Sequence, residues 1–150
     1  MKIVIQRVSE STVVINNEVA GAIDKGFLIL LGIQEEDTDD DIEWLTNKIV
    51  NLRVFDDEEG VMNLNINQVG GEVLAISQFT LHASTKKGNR PSYIKAAKAD
   101  IAVPLYEQFL SKLGSVLNGK LAIGRFGADM KVSLINDGPV TIIIDSKKRE

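Results

Sequence analysis

The first thirty-odd residues constrain the fold most, because they read as three successive strands before any helical signal occurs. Ile3, Ile5 and Val8 fall near one face, and Thr12-Val13-Val14-Ile15 extends the pattern. Asn16-Asn17 tolerates positive φ and suits a tight turn, after which Glu18-Val19-Ala20-Gly21-Ala22-Ile23 returns the chain. Residues 27–33 are continuously apolar rather than alternating, as a central strand covered on both faces would be.

Helical spacing begins only after residues 37–41, Asp-Thr-Asp-Asp-Asp. Carboxylates there cap free N–H groups and complement the helix dipole. Ile42, Leu45, Ile49 and Leu52 follow as one apolar stripe. A metal site is the other reading of the aspartates, and capping is the simpler one. Residues 53–55 read as a strand, 56–60 as its turn, and Met62-Asn63-Leu64-Asn65-Ile66 as an alternating return that ends at Gly70-Gly71. Glu72-Val73-Leu74-Ala75-Ile76 is the next strand. Residues 82–99 form a long polar loop of the kind that often carries function. A second helix is expected over 103–117, with Pro104 in its first turn and Leu105, Phe109, Leu113 and Val116 on its buried side. Three closing strands are expected near 121–124, 130–135 and 140–144, before a frayed charged tail at 146–150. The expected fold is one α+β domain over residues 1–150, a mostly antiparallel, barrel-like sheet with two main helices.

Composition narrows the chemistry. Cysteine is absent, which excludes thiol catalysis and thiolate metal sites and fits a reducing, cytoplasmic setting. The longest apolar stretch, 26–33, is too short to span a bilayer, so no membrane association is expected. A net charge of −4 argues against coating a nucleic-acid duplex, although an RNA end remains a possible ligand. Positive charge is grouped at Lys86, Lys87, Arg90, Lys95 and Lys98. That group is either a solvated loop or a phosphate contact.

His82 is the only histidine, and in a polar loop it reads as an exposed surface residue rather than a catalytic base. With one histidine and no cysteine, no transition-metal site is expected. No phosphate-binding glycine motif occurs, so no nucleotide cofactor is expected. Two segments carry more promising chemistry: Ser77-Gln78-Phe79-Thr80-Leu81 at a strand end, and Asn136-Asp137-Gly138-Pro139-Val140-Thr141 leading into another strand. Polar groups held at strand ends can aim at a substrate, and backbone N–H groups there can stabilise an oxyanion. Each segment alone is equally a strand end whose hydroxyls bond locally, or an ordinary Gly-Pro turn.

Taken together and in order, these segments resemble the D-aminoacyl-tRNA deacylases. The likeness begins at Ile5-Gln6-Arg7-Val8 and passes through Met62-Asn63-Leu64-Asn65, Gly70-Gly71 and the Ser77 segment. It continues through Arg90-Pro91-Ser92 and Gly124-Arg125-Phe126-Gly127-Ala128-Asp129-Met130, and closes on the Asn136 segment. The resemblance implies hydrolysis of the ester joining a D-amino acid to the 3′-terminal adenosine of tRNA, with clearance of mischarged glycine in related members. It further implies a homodimer in which Gly138 and Pro139, joined by a cis bond, reach the partner's site and exclude L-amino acids. Arg7 would orient the Gly-Pro carbonyls. Ser77, Gln78, Phe79 and Thr80 would receive the adenosine and the ester, with Phe126 and Met130 flanking the base and Lys86, Lys87 and Arg90 meeting acceptor-stem phosphates. Thr80 is one nucleophile candidate; water assisted by the terminal ribose 2′-hydroxyl is the more economical one. A non-catalytic module that binds the RNA end, or a deacylase for an achiral or L substrate, would share much of this sequence.

Overall fold

A computed structural model describes residues 1–150. In chain order it contains β1 (Lys2–Ile15), β2 (Glu18–Ile23), β3 (Gly26–Gly32), α1 (Asp39–Asn51), β4 (Phe55–Asp56), β5 (Met62–Leu64) and β6 (Glu72–Ser77). A short 3-10 helix (Phe79–His82), α2 (Ala99–Val116), β7 (Leu121–Ile123) and β8 (Lys131–Asp145) complete it. Asn16 and Asn17, at φ 50° and 63°, make the tight β1–β2 turn. β1 pairs antiparallel with β2, β3 and β8, whereas β3–β6 and β6–β7 are parallel. β2 curls back towards β7: a Cβ on Gly21 would lie 3.0 Å from the Ile123 carbonyl. The sheet is thus nearly closed, as a barrel-like reading requires.

Both helices cover one face of the sheet. Ile42, Leu45 and Ile49 of α1 and Tyr106, Phe109 and Leu113 of α2 join Ile3, Ile5, Phe27 and Ile29 in one core. A smaller core on the other face holds Val8, Val13, Leu28, Leu74 and Ile76. Val8 therefore does not share a face with Ile3 and Ile5. Its odd spacing from them turns it the other way on a pleated strand.

Three further expectations need correction. α2 starts at Ala99, four residues before the expected Val103, so Pro104 lies beyond the first turn. The Lys98 carbonyl accepts from the N–H groups of Ile101 (3.0 Å) and Ala102 (2.8 Å), which starts the helix upstream of the proline. The two expected final strands are one strand, β8, with a bulge where the turn was expected. Gln6 pairs with Thr141 and Val8 with Asn136, so residues 137–140 stand opposite Arg7 alone.

The tail, finally, is docked rather than frayed. Lys147 Nζ donates to the Asp41 carboxylate at 2.8 Å, and the Arg149 guanidinium lies 4.7 Å from the Trp44 ring centroid. Ser146 is buried beside the Met1 amino group, which pairs with Asp37. Asp41 also accepts from the Thr38 N–H at 2.9 Å, closing the start of α1. Burial works to raise the Asp41 carboxyl, but hydrogen bonds from Lys147, Ser146 and Thr38 outweigh it and hold the group well below the usual range. The folded state therefore binds fewer protons here than the unfolded chain as pH falls below the ordinary carboxylate value. Asp41→Asn should cost about 1–2 kcal/mol at pH 7. Thermal melts should show that deficit shrinking below about pH 4, as the wild-type carboxylate loses its advantage.

Candidate active site

The parallel pairing of β3 with β6 builds the site. Leu31 lies opposite Ser77 at the carboxyl ends of the two strands, and the Gln78 N–H donates to the Leu31 carbonyl at 2.7 Å. The chain then tightens into the 3-10 helix. Phe79 and Thr80 open that helix, where backbone N–H groups have no carbonyl within the helix to bond. Phe79 borders a mostly apolar cavity of about 270 Å³. Ser77, Gln78 and Phe79 form one side of it. Phe126, Gly127, Ala128 and Met130, between β7 and β8, form a second, and Ala97, just before α2, and Ala102, in its first turn, close it.

Packing beneath the cavity fixes its walls. The Phe126 ring lies 5.7 Å from the buried Tyr106 ring, whose hydroxyl faces the Ala75 carbonyl at 3.4 Å. Burial pushes the Tyr106 phenol up to about 12, so it stays a neutral donor under the site. A side chain at Gly124 would meet Met130 Sδ at 2.5 Å, so glycine is what lets the thioether occupy its place.

The polar inventory is small. Gln78 Nε2 donates to Thr80 Oγ1 at 2.5 Å. His82 is not the exposed residue expected from its loop. It is only 6% exposed, and its Nε2 bonds to nothing in the chain. The 3-10 helix folds it inward against Gly32, where a Cβ would lie 3.0 Å from His82 Cδ2. No base therefore contacts the Thr80 hydroxyl.

Of the residues singled out from sequence, Ser77, Gln78, Phe79, Phe126 and Met130 line one cavity, with Thr80 hydrogen-bonded at its edge. Lys86, Lys87 and Arg90 are exposed on the following loop, and none forms an ion pair. Arg7, Gly138 and Pro139 do not line the cavity of their own chain. Gly138 and Pro139 are exposed on the β8 bulge and are joined by a cis peptide bond. Arg7 is buried behind them. Its Nε donates to the Asp137 carbonyl at 2.9 Å and its Nη1 to the Val54 carbonyl at 2.6 Å. It thus grips the carbonyl preceding Gly138, not those of the Gly-Pro pair. Asn136 Oδ1 accepts from the Val140 N–H at 3.1 Å and pins the far side of the bulge. Sequence reasoning missed Leu31, Ile33, Ala97 and Ala102 as lining. Only the end of the 27–33 apolar run hinted at the first two.

A family model for D-Tyr-tRNA(Tyr) deacylase matches residues 4–145. The chain belongs to that family. Full-length relatives named D-aminoacyl-tRNA deacylase include those of Bacteroides thetaiotaomicron, 62% identical, and Flavobacterium psychrophilum, 59% identical. Each aligns over 100% of both chains. Among solved structures, one titled c-Myc DNA Unwinding Element Binding Protein superposes with a TM-score of 0.92 at 40% identity. It covers 97% of this chain and 98% of its own. A probable eukaryotic D-amino acid tRNA deacylase superposes with a TM-score of 0.81 at 14% identity, covering 95% and 97%, and so shares the fold. The cavity at the β3–β6 strand ends thus belongs to a deacylase-family chain, and no helix of the chain is long and apolar enough to cross a membrane.

Proposed function

We propose that this chain hydrolyses the ester between a D-amino acid, or mischarged glycine, and the 3′-terminal adenosine of tRNA, working in the cytoplasm as a single deacylase domain. The observation that carries this reading is the set Ser77, Gln78 and Phe79 lining an apolar cavity, with Thr80 bonded to Gln78, in a chain 59% and 62% identical to two named deacylases along its whole length. The adenine enters between Phe79, Phe126 and Met130. The ester carbonyl lies against the N–H groups of Phe79 and Thr80, which stabilise its developing negative charge. Water, assisted by the ribose 2′-hydroxyl, adds to the carbonyl carbon. The carbon–oxygen ester bond then breaks, and the departing ribose oxygen takes up a proton. No metal or cofactor has a role in this scheme. Lys86, Lys87 and Arg90 meet backbone phosphates, a contact confined to one loop and so suited to an RNA end rather than a duplex.

Positioning is the enzyme's main contribution here. Thr80 has its hydroxyl engaged by Gln78 and no base in contact, which supports water over Thr80 as nucleophile. Thr80→Ala should keep kcat within about tenfold of wild type, whereas loss of a true nucleophile costs on the order of 10⁴–10⁶. Single-turnover release from D-tyrosyl-tRNA, with binding measured separately, decides between the two.

Selectivity comes from a second copy of the chain. Gly138 and Pro139 are exposed and do not line their own cavity, so they act on a partner's. β8 supports this: it pairs only with β1, none of its fifteen residues is buried, and Ile135 and Ile143 face outward. A rigid Gly-Pro backbone against the substrate α-carbon admits hydrogen or a D side chain and clashes with an L side chain. That wall needs no contact with the side chain itself, which suits one pocket to many D-amino acids.

A further inference from the structure

Outside the cavity, a second aromatic ring remains unexplained. Tyr93 stands edge-to-face with Phe79, the ring centroids 5.1 Å apart and the planes at 76°. Phe79 belongs to the cavity rim and Tyr93 does not. Both rings are open to solvent, at 55% and 40%. An edge-to-face pair uses only one ring face, so aromatic surface continues outward from the rim. Large exposed rings side by side are costly to leave bare, and they mark binding surfaces more often than packing.

The loop around Tyr93 is held rather than loose. Ser84 and Ser92 exchange two backbone hydrogen bonds, at 2.8 and 2.9 Å. The Tyr93 carbonyl accepts from the Ala96 N–H at 3.0 Å, and the Ala97 N–H donates to the Ile33 carbonyl at 2.9 Å. The backbone is thus clamped on both sides of the ring. The Tyr93 hydroxyl meanwhile has no partner in the chain. Residues 84–98 hold Lys86, Lys87, Arg90, Lys95 and Lys98 and no carboxylate, although the whole chain carries −4. A fixed, exposed aromatic face among unpaired cations is how proteins hold single-stranded nucleic acid: bases stack while the cations meet phosphates.

We propose that Tyr93, continuing the face begun by Phe79, is a stacking platform for the nucleobase one step 5′ of the terminal adenosine, in single-stranded RNA. The inference rests on the deacylase reading and extends it from one nucleotide to two. Stacking tolerates any base, so this platform contributes reach and orientation without sequence preference.

Two substrates separate this from a structural role: D-tyrosyl-adenosine, which ends at the cavity, and D-tyrosyl-CpA, which adds one base and one phosphate. Wild type should favour the dinucleotide ester in kcat/KM, and Tyr93→Ala should reduce that preference by about tenfold. Tyr93→Phe, which keeps the ring, should restore it, and its thermal midpoint checks folding. Equal losses on both substrates would overturn the platform, since Tyr93 would then only support Phe79. An unchanged preference in Tyr93→Ala would overturn it as well. So would a changed oligomeric state in sedimentation, which would assign the ring to a contact between copies. If wild type hydrolyses neither ester nor D-tyrosyl-tRNA, the deacylase reading itself has failed, and the platform falls with it.

Discussion

Replacing Arg7 by alanine should lower kcat/KM for D-tyrosyl-tRNA by about 100-fold, because its guanidinium is the one side chain outside β8 that hydrogen-bonds the bulge. Arg7 stands alone opposite residues 137–140, and its two donors reach carbonyls from distant parts of the chain, Asp137 and Val54. Asp56 Oδ1 lies 3.5 Å from Nη1 and balances the charge. Alanine leaves both carbonyls without a donor and lets the Gly138–Pro139 backbone drift from its position against a neighbouring site. A folding cost of about 2–3 kcal/mol should accompany the kinetic loss. Arg7→Lys should recover little, since one ammonium cannot replace a rigid fork that spans two directions. Kinetics on folded protein, paired with denaturant melts, separate the two effects. Activity within about twofold of wild type would show that the bulge needs no such anchor.

The largest expected effect on folding lies at the other end of the strands that carry the site. Gly26 begins the parallel β3–β6 ladder opposite Glu72, and Leu31 opposite Ser77 ends it. A Cβ on Gly26 would sit 1.8 Å from the Glu72 carbonyl oxygen and 2.6 Å from its nitrogen. Neither is the end of a flexible side chain, so one strand must shift. Gly26→Ala should therefore destabilise by roughly 4 kcal/mol or more, at the extreme of single substitutions. Thermal unfolding should show a midpoint lower by more than about 10 °C, or no soluble protein. A midpoint unchanged from wild type would mean that the two strands are not in this register.

Features written in neighbouring residues were legible from the sequence, and features made by distant ones were not. Asn16-Asn17 and the 37–41 acidic run encode a turn and a helix start locally, and both stand where expected. In sequence β8 reads as two strands, because Asp137-Gly138-Pro139 has turn chemistry. Only β1, 130 residues away in sequence, continues the ladder past the bulge. His82 misleads for a similar reason. Its polar neighbours suggest exposure, but the bare backbone of Gly32 makes room for it inside. The docked tail depends on Asp41 and Trp44, which no local pattern connects to Lys147 or Arg149. In the site, Ser77-Gln78-Phe79-Thr80 and Phe126 to Met130 were visible as motifs. Their apolar partners Ile33, Ala97 and Ala102 were not, since an apolar lining residue looks like any core residue until the chain is folded.

The most direct test of the account is the release of amino acid from matched D-tyrosyl- and L-tyrosyl-tRNA by purified protein in excess chelator. Fast release from the D ester alone, insensitive to the chelator, is the expected result. It would support ester hydrolysis at the Ser77–Thr80 cavity and chiral exclusion by Gly138 and Pro139 together. Release of neither amino acid while tRNA remains bound would contradict catalysis and leave an RNA-end binding module. Equal release of both would contradict the wall.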